Sequence, residues 1–429
     1  WQWVPSLYFA QGIPYVVVMS VAVILFKRMG MSNTDIALYT SGLNLPWVIK
    51  PLWSPLVDLL KTKRWWIVVM QILVGAGLAG IALTIQGPLA FRYCLAFMWL
   101  LAFSSATHDI AADGFYMLGL NEKKQAYFVG IRNTFYRFAV IFGQGILVMF
   151  AGWLEQRYAR EMPETAAIPQ AWSLTFYLLT ILFALLFVYH YLFLPHPRRD
   201  TCTLPPQQAS AGRVFKEFLG TFTSFFQKKH IVSALIFILL YRFAEAQLVK
   251  ITSPFLLDTP ATGGLALSTA EVGFIYGTIG VIALTIGGIV GGIAMARRGL
   301  KSCLWTMTIA MNLPNIVYLY LSFARPESIG IISGCVAIEQ FGYGFGFTSL
   351  TYFMMLFSNG KHQTAHYAIC TGFMALGLML PGMISGWIEE SIGYRAFFVW
   401  IMLCTIPSFW ATHLVRKNLT DNHSDNSSR

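Results

Sequence analysis

The sequence has few charged residues and no paired cysteines. Of its 429 residues, 11% are charged, whereas ordinary soluble domains carry roughly 25%. None of the six cysteines forms a Cys-x-x-Cys pair, which argues against a disulfide framework or a metal cluster. Hydrophobic residues make up 56% of the chain, more than a soluble core of this length could bury. The apolar residues run continuously instead of alternating, so we predict an all-α membrane protein and not a β-barrel.

The apolar runs divide the chain into about twelve segments that could each cross a bilayer as a helix. We number them spans 1 to 12 in chain order: 4–27, 34–59, 65–87, 91–119, 125–153, 172–194, 231–256, 270–296, 301–323, 329–357, 362–388 and 394–415. We therefore expect an N-terminal six-helix bundle (1–195), a cytoplasmic linker (196–230), a C-terminal six-helix bundle (231–416) and a polar tail (417–429) without regular structure.

The positive charge of the chain predicts its orientation. The net charge is +11, and most lysines and arginines fall in loops on the side of the membrane that also holds both termini. Cytoplasmic loops are rich in these residues, so we expect both termini in the cytoplasm and an even number of spans. No soluble segment combines basic with aromatic residues as binding of a nucleic acid would require.

Three short patterns recur in the same order in the two halves of the chain. Ser32–Asp35 corresponds to Ser268–Glu271, Asn121–Gln125 to Asn359–Gln363, and Ala151–Gln156 to Ser385–Glu390, with offsets of 236, 238 and 234 residues. Six spans, a basic loop and six related spans resemble the major facilitator superfamily, in which two parallel halves surround a central cavity. The two Ser-x-x-acid patterns are more simply explained as helix N-caps than as sites.

Ionisable residues within the spans are the best candidates for function, because a charge at the centre of a bilayer is costly. Span 4 contains Asp109 and Asp113, which lie on one face of the helix about one turn apart. Span 7 contains Glu245. A carboxyl group in a low-dielectric environment can exchange a proton at physiological pH. We therefore predict that these three residues couple transport to protons.

Cations and polar aromatic residues in the spans suit an anionic cargo, because arginine binds carboxylates and phosphates with two hydrogen bonds. The predicted substrate-binding residues are Tyr8, Gln11, Tyr15, Asn133, Arg137, Tyr241, Arg242, Lys250, Glu339 and Tyr343. The alternative is that the charges only join helices, as Asp109–Arg137 and Arg242–Glu245 pairs. Arg132 lies near the cytoplasmic end of span 5, which favours a structural or gating role for it.

His108 and His366 are more simply explained as hydrogen-bonded helix residues than as ligands, and no spacing in the sequence is typical of a metal site. The loop after span 2 resembles a conformational latch of the major facilitator superfamily, with the pattern Gly-x-x-x-Asp-Arg-x-Gly-Arg-Arg. Asp58 and the following basic residues, including Arg64, are retained, and Arg298 marks the equivalent loop of the second half. The resemblance implies that Asp58, Arg64 and Arg298 form a gating latch.

Three stretches resemble the AmpG-type muropeptide permeases. Lys50–Asp58 contains Trp-Ser-Pro-x-x-Asp, Ser104–Asp113 is similar to Ser-x-Gln-Asp-Ile-x-x-Asp, and Leu240–Glu245 is similar to Leu-Tyr-Lys-x-x-Asp. The resemblance extends from about residue 4 to residue 416. The chain departs from the family pattern at His108, Arg242 and Glu245, where that pattern has Gln, Lys and Asp.

This resemblance implies a proton-coupled symporter that imports anhydromuropeptides (GlcNAc-anhydroMurNAc peptides of peptidoglycan) from the periplasm across the cell inner membrane by alternating access. It implies no cofactor besides the proton gradient, and a monomer whose partners are a small anionic sugar–peptide, protons and membrane lipid. The family also includes acetyl-CoA transporters, so acetyl-CoA or another large organic anion stays open as the cargo. An enzyme is disfavoured, since the loops are too short for a catalytic domain and contain no nucleophile elbow or phosphate-binding glycine loop. A sensor derived from a transporter is disfavoured because the carboxylates within the spans are retained.

Overall fold

The computed structural model describes residues 2–120, 122–197, 200, 220, 222–359 and 363–427. All regular secondary structure in these residues is helical, which confirms the predicted all-α class. In spans 1 to 6 the helices are Val4–Val16 with Ala22–Arg28, Asn33–Gly42 with Leu45–Leu60, Lys63–Thr84, Ala90–Gly119, Glu122–Val140 with Leu147–Tyr158, and Glu164–Phe193. Short π-helical turns, Val17–Val21 and Ile141–Ile146, join the two parts of spans 1 and 5.

Span 6 is longer than predicted from the sequence. It begins at Glu164 instead of residue 172, and Pro163 immediately precedes it. The apolar pattern placed the start later because Glu164 and Pro169 interrupt it. The helix nevertheless continues through Pro169.

In spans 7 to 12 the helices are Ile231–Leu240, Phe243–Leu257, Thr269–Val272, Val281–Asn312, Ile316–Ala324, Ile329–Ser358, Gln363–Leu403 and Ile406–Ser427. Two of them are divided by a glycine with positive φ, Gly299 at 71° and Gly393 at 76°. Glycine adopts this conformation at little cost, so one helix ends there and the next begins. These glycines separate span 8 from span 9 and span 11 from span 12, as predicted. The last helix continues through the tail, where we expected no regular structure.

Eight helical stretches of the described chain are long and apolar enough to cross a membrane. Two of them, Thr269–Ala324 and Ala365–Asn418, contain 56 and 54 residues, which is enough for two spans each. The eight stretches account for ten of the predicted spans, and the helices of spans 2 and 10 account for the other two. Their exposed apolar side chains, such as Leu83, Leu185 and Val232, suit contact with lipid.

The chain forms two compact units. The first comprises Trp1–Ser32, Leu52–Gln208 and Leu267–Thr278, and the second comprises Asn33–Pro51, Ala209–Ala266 and Ile279–Arg429. The division into two bundles, a linker and a tail stays a prediction, and within the spans the units depart from it at two places. The start of span 2 belongs to the second unit, and the start of span 8 belongs to the first.

These two helix starts are held by equivalent contacts, one in each unit. In the first unit the hydroxyl of Thr269 donates to Oε2 of Glu155 over 2.7 Å. In the second unit Nδ2 of Asn33 donates to Oε2 of Glu389 over 2.6 Å. Glu155 and Glu389 are 234 residues apart, and Asn33 and Thr269 are 236 apart, so the sequence repeat is also a repeat of contacts.

A glycine makes each of these contacts possible. A methyl group at Gly152 would overlap the backbone of Ala270, and one at Gly386 would overlap the backbone of Asn33. Glycines in membrane helices allow such close approach of two backbones. The predicted N-cap at Ser268 is also confirmed, because the side chains of Ser268 and Glu271 each accept the other residue's backbone N–H.

Both ends of the predicted linker are fixed to helices. In the first unit the carboxylate of Asp200 accepts the first two N–H groups of helix Lys63–Thr84, over 2.7 and 3.1 Å. In the second unit Nζ of Lys228 donates to two carbonyls at the end of helix Ile329–Ser358, over 2.6 and 2.9 Å. Both arrangements complement the helix dipole, which favours an anion at the start and a cation at the end.

Candidate functional site

Polar side chains from spans 1, 4 and 5 meet in the first unit. The hydroxyl of Tyr8 donates to Oδ1 of Asp113 over 3.1 Å. Nη1 of Arg132 donates to the hydroxyl of Tyr8 over 3.0 Å and lies 3.4 Å from Oδ1 of Asp113. The guanidinium carbon of Arg132 also lies 4.7 Å from the ring centre of Tyr8 and 5.1 Å from that of Tyr116. We call Tyr8, Asp113, Tyr116 and Arg132 the first-unit cluster.

The ion pair of the first-unit cluster is only partly buried, whereas Tyr8 and Tyr116 are 2% and 4% exposed. The side chain of Asp113 is 40% exposed and that of Arg132 is 27% exposed. Nε of Arg132 has no hydrogen-bond partner among the residues that the structure describes. A guanidinium is planar, and the neighbouring aromatic rings hold its plane in one orientation, which suits a planar carboxylate or a sugar hydroxyl. The ion pair therefore offers charges to a polar ligand, while the buried rings of Tyr8 and Tyr116 hold the guanidinium in place.

Asp109 lies beside this cluster, as the spacing of span 4 predicted. It accepts a hydrogen bond from the side-chain amide of Gln11. Gln11 follows Tyr8 by about one helical turn, just as Asp113 follows Asp109. The two helices thus place four of the predicted site residues against one another.

The ion pair within the first-unit cluster differs from the Asp109–Arg137 pair that the sequence suggests. Asp109 and Arg137 form no ion pair in the described part of the chain, and Arg132 is the partner of Asp113. Helical spacing shows which face a residue occupies, but not the height at which a neighbouring helix presents its cation. We expected a structural or gating role for Arg132. Its closest contacts are with Tyr8 and Asp113, which are predicted site residues.

The other predicted residues of spans 1 and 5 lie outside the first-unit cluster. The ring centre of Tyr15 is 6.5 Å from that of Tyr136. Asn133 is exposed and Arg137 is half-buried. Within the described residues, neither Asn133 nor Arg137 forms a hydrogen bond or an ion pair through its side chain. Their roles in binding remain predictions.

In the second unit, span 7 is interrupted at Arg242. Helix Ile231–Leu240 ends before it and helix Phe243–Leu257 begins after it, while Arg242 has the non-helical angles φ −106° and ψ 22°. Nη2 of Arg242 donates to the hydroxyl of Tyr343 over 2.5 Å. Its guanidinium carbon lies 5.1 Å from the ring centre of Tyr343 and 5.0 Å from that of Phe347.

Two carboxyl groups of the second unit are buried. Glu245 is 3% exposed and Glu339 is 1% exposed. Glu339 accepts hydrogen bonds from the hydroxyl of Tyr318 over 3.2 Å and from Nε2 of Gln340 over 3.0 Å. Oε2 of Glu245 has no hydrogen-bond partner in the described structure. Glu245 interacts electrostatically with Glu339 and Arg242. We call Arg242, Glu245, Glu339, Tyr343 and Phe347 the second-unit cluster.

The Arg242–Glu245 ion pair that the sequence suggests does not form among the described residues, and Nη2 of Arg242 donates to Tyr343. Two other predicted residues of span 7 are enclosed by protein. Tyr241 is completely buried, with its hydroxyl 2.8 Å from Oγ of Ser349, and Lys250 is 2% exposed. Neither side chain is open to a ligand in this structure.

Both histidines of interest form hydrogen bonds within their unit, as the simpler interpretation predicted. Nε2 of His108 lies 3.1 Å from the side-chain amide of Gln71, which also contacts His190 over 2.9 Å. Nε2 of His366 lies 3.0 Å from Oγ of Ser224. Among the described residues, no group of three or more His, Cys, Asp and Glu side chains could hold a metal ion.

The residues predicted to form a latch lie in different environments. Nε of Arg64 donates to the carbonyl of Leu194 over 3.2 Å, and its guanidinium carbon lies 5.8 Å from the ring centre of Tyr191. Arg64 therefore joins spans 3 and 6 within the first unit. Arg298 is exposed, and the side chain of Asp58 lies outside the described part of the structure. Their role as a latch remains a prediction.

The sequence prediction omitted two aromatic residues that contact the predicted ones. Tyr116 follows Asp113 by three positions, and Phe347 follows Tyr343 by four. Both spacings place the aromatic ring on the same helix face as the predicted residue. An aromatic residue one turn beyond a polar site residue was the signal that could have identified them.

The chain matches the family model of the Major Facilitator Superfamily over residues 6–364. It is 25% identical over 410 residues to "Putative transporter AmpG 4" of Rickettsia conorii, covering 93% of this chain and 92% of that protein. It is 24% identical over 418 residues to "Anhydromuropeptide permease" of Escherichia coli K12, covering 96% of this chain and 78% of that protein.

Solved transporter structures share the fold at low sequence identity. A POT family transporter in complex with a thioalcohol-conjugated peptide has a TM-score of 0.73 and 10% identity, covering 96% of this chain and 95% of that one. The nucleoside transporter NupG has a TM-score of 0.69 and 14% identity, covering 96% and 98%. A D-xylose–proton symporter has a TM-score of 0.68 and 13% identity, covering 96% and 95%.

The family match includes most of the chain, and the relatives extend over nearly all of it. The predicted resemblance to AmpG-type permeases is therefore confirmed, and so is the prediction that the protein is not an enzyme. The chain belongs to the Major Facilitator Superfamily: it is a membrane transporter whose sequence is similar to those of the AmpG permeases.

Proposed function

We propose that this transporter imports GlcNAc-anhydroMurNAc peptides from the periplasm into the cytoplasm, driven by the proton gradient across the cell inner membrane. We further propose that it acts as a monomer, with both termini in the cytoplasm. The similarity to the anhydromuropeptide permease of Escherichia coli supports this cargo. Basic residues are more frequent in the loops on the side of the membrane that holds both termini, and this excess supports the orientation.

The observation that carries the proton-coupling proposal is the environment of Glu245. It is 3% exposed, one of its carboxyl oxygens has no partner among the described residues, and the nearby cation Arg242 is bound to a tyrosine. A charged carboxylate is costly within a membrane unless a cation is paired with it. A group in this situation is suited to bind a proton on one side of the membrane and release it on the other. Glu339, first predicted to bind substrate, is its acidic neighbour and shares this role.

The first-unit cluster supports the proposal for the cargo. Asp113 and Arg132 are partly exposed and already paired, so a ligand can exchange hydrogen bonds with them without creating an isolated charge. The buried rings of Tyr8 and Tyr116 hold the guanidinium of Arg132 in place, so that its donors keep one orientation toward the ligand. Gln11 and Asp109 add polar groups one turn away. Together these groups fit a sugar–peptide better than a purely hydrophobic compound.

Uptake into proteoliposomes tests the proposed function. The full chain would be reconstituted, an inward-acid pH gradient imposed, and accumulation of labelled GlcNAc-anhydroMurNAc-tripeptide measured. We expect accumulation that a protonophore abolishes and that Glu245→Gln lacks. Glu327→Gln is the matched control, since Glu327 is exposed in a loop of the same unit and should retain uptake.

The same vesicles distinguish the alternative cargo. Labelled acetyl-CoA in place of the muropeptide should not accumulate. Accumulation of acetyl-CoA without the muropeptide, by protein that remains monodisperse, would replace the cargo in this proposal. Muropeptide uptake unaffected by a protonophore would contradict the proton coupling.

A further inference from the structure

The interruption of span 7 creates a helix start within the membrane. Helix Phe243–Leu257 has 15 residues and begins directly after the non-helical residue Arg242. The first amides of a helix have no acceptor within that helix, and the dipole gives this end a partial positive charge. Interrupted helices of secondary transporters place such ends toward anionic groups of the substrate.

Arg242 is a second, independent indication of an anion site at this helix start. Only 9% of the residue is exposed, and Nε has no hydrogen-bond partner in the described structure. The hydrogen bond to Tyr343 and the rings of Tyr343 and Phe347 hold the guanidinium in place without neutralising it. A buried guanidinium with an unused donor is costly unless an anion binds there part of the time.

Glu245 lies in the first turn of the same helix. Its carboxylate therefore competes with an anionic ligand for the guanidinium of Arg242 and for the helix start. An ionised Glu245 is attracted by both Arg242 and the helix start, so it reduces the positive potential available to another anion. The neutral form leaves that potential free. The charged neighbours that act on Glu245 are Arg242 and Glu339. Tyr343 and Tyr318 are the titratable hydroxyls bound to those two, and Lys250 lies further along the helix.

We propose that Arg242 and the first turn of Phe243–Leu257 bind a carboxylate group of the cargo, and that they accept it only when Glu245 carries a proton. This inference rests on the proposed function and specifies its site. Binding of the anion and binding of the proton then favour each other, because linkage between two sites is reciprocal. A proton taken from the periplasm prepares the site for the anion, and its release into the cytoplasm expels the anion. The proton and the cargo carboxylate are thus bound together and released together at one helix start, which is symport.

Calorimetric titration of the full chain in lipid nanodiscs tests this inference. The probes are GlcNAc-anhydroMurNAc-tripeptide and the same compound with its peptide carboxyl groups converted to amides. The parent should bind the carboxylate form about tenfold more tightly than the amide, as expected for a charge-assisted hydrogen bond. Its affinity should fall as the pH rises, with protons taken up on binding.

Three variants separate the two parts of the inference. Arg242→Gln should lose the preference for the carboxylate form, and Arg242→Lys, which keeps the charge but not the planar donors, should retain part of it. Glu245→Gln should bind with an affinity that does not vary with pH and without proton uptake. Arg395→Gln is the matched control, since Arg395 also lies beside a ring, 5.2 Å from the centre of Phe323, and should behave as the parent.

The outcomes distinguish this inference from the proposed function. If the parent binds the muropeptide but Arg242→Gln keeps the preference, or Glu245→Gln keeps the pH dependence, the inference is overturned and the function stands. If the parent binds no muropeptide, the proposed cargo fails. Infrared spectra of the protein alone then decide the inference through the C=O band of a neutral carboxyl group. The part of that band due to Glu245 should be lost in Glu245→Gln, whereas a part due to Glu339 should remain. The Glu245 part should titrate at a different pH in Arg242→Gln, and an unchanged titration would overturn the inference.

Discussion

The two polar clusters contain the same types of residue in opposite arrangements. In the first unit, Arg132 is paired with Asp113, and both are partly exposed. In the second unit, Arg242 is bound to Tyr343, while Glu245 and Glu339 are almost completely buried and form no ion pair among the described residues. A paired, accessible carboxylate keeps its charge at physiological pH, whereas a buried and unpaired one favours the charged state much less.

This difference is the basis of the division of labour that we propose for the two clusters. We assign contact with the sugar–peptide to the first-unit cluster and exchange of the proton, together with one cargo carboxylate, to the second-unit cluster. From the sequence, Asp109, Asp113 and Glu245 were equivalent candidates for the proton. Burial and pairing now distinguish them, since only Glu245 combines a buried carboxyl group with an unpartnered oxygen.

The largest expected effect on stability concerns a feature that the two units have in common. Gly152→Ala and Gly386→Ala should each destabilise the protein by about 3 kcal/mol, because the added methyl group would overlap the backbone of the facing helix start. Thermal unfolding in detergent measures the effect. Gly292→Ala and Gly334→Ala are controls, since nothing lies near those positions, and they should unfold like the parent. A large effect at only one of Gly152 and Gly386 would contradict the equivalence of the repeated contacts.

The next effect concerns the difference between the clusters. Arg132→Gln leaves Asp113 without its cation and should lower the free energy of unfolding by about 1–2 kcal/mol. This is less than the loss of one partner costs in a fully buried pair, because both side chains are partly exposed. Arg242→Gln breaks no ion pair and should cost less. The double variant Arg132→Gln/Asp113→Asn should lose less stability than the two single variants lose in sum. A double-mutant cycle measures this difference. Additive effects would show that the pair contributes nothing to stability.

A smaller effect compares the two ends of the linker. Asp200→Ala and Lys228→Met should each cost about 1 kcal/mol, because each removes two hydrogen bonds to the backbone at a helix end. The exposed Lys301 gives a control variant, Lys301→Met, which should not change the unfolding temperature. Equal stability of Lys228→Met and Lys301→Met would contradict the proposed anchoring of the second unit.

The smallest expected effect is the pH dependence due to Lys228. Burial lowers the pKa of Lys228 below its ordinary value, which is about 10.4 in an unfolded chain. Between the two pKa values the folded protein binds fewer protons than the unfolded one, so the contribution of Lys228 to stability rises as the pH rises through this window. The difference in unfolding temperature between the parent and Lys228→Met should therefore increase toward alkaline pH. A difference that decreases would contradict the sign.

Much of the fold could be predicted from the sequence because it depends on local patterns. Apolar runs located the spans, and the constant offsets located the repeat that reappears as the Glu155 and Glu389 contacts. The interruption at Arg242 could not be predicted in this way, since the apolar run of span 7 continues across it. The start of span 6 was misplaced for the related reason that Pro169, normally a helix breaker, lies inside the helix.

The site was predictable to the level of helix faces. The one-turn spacing of Asp109 and Asp113 placed these two residues on one face of span 4, and in the structure that face contacts Gln11 and Tyr8. Spacing does not give the height of one helix against another, so Arg137 was considered as the partner cation instead of Arg132. It also does not give burial, and the complete enclosure of Tyr241 and Lys250 required the three-dimensional structure.

The most direct test of the division of labour is the number of protons that enter with each cargo molecule. A pH-sensitive dye inside the proteoliposomes would report proton entry, while labelled muropeptide reports cargo entry, both by net uptake and by exchange against internal cargo. We predict that Asp113→Asn transports more slowly with the proton-to-cargo ratio of the parent, whereas Glu245→Gln exchanges cargo without moving protons. The reverse result, an altered ratio in Asp113→Asn and an unchanged ratio in Glu245→Gln, would contradict the account.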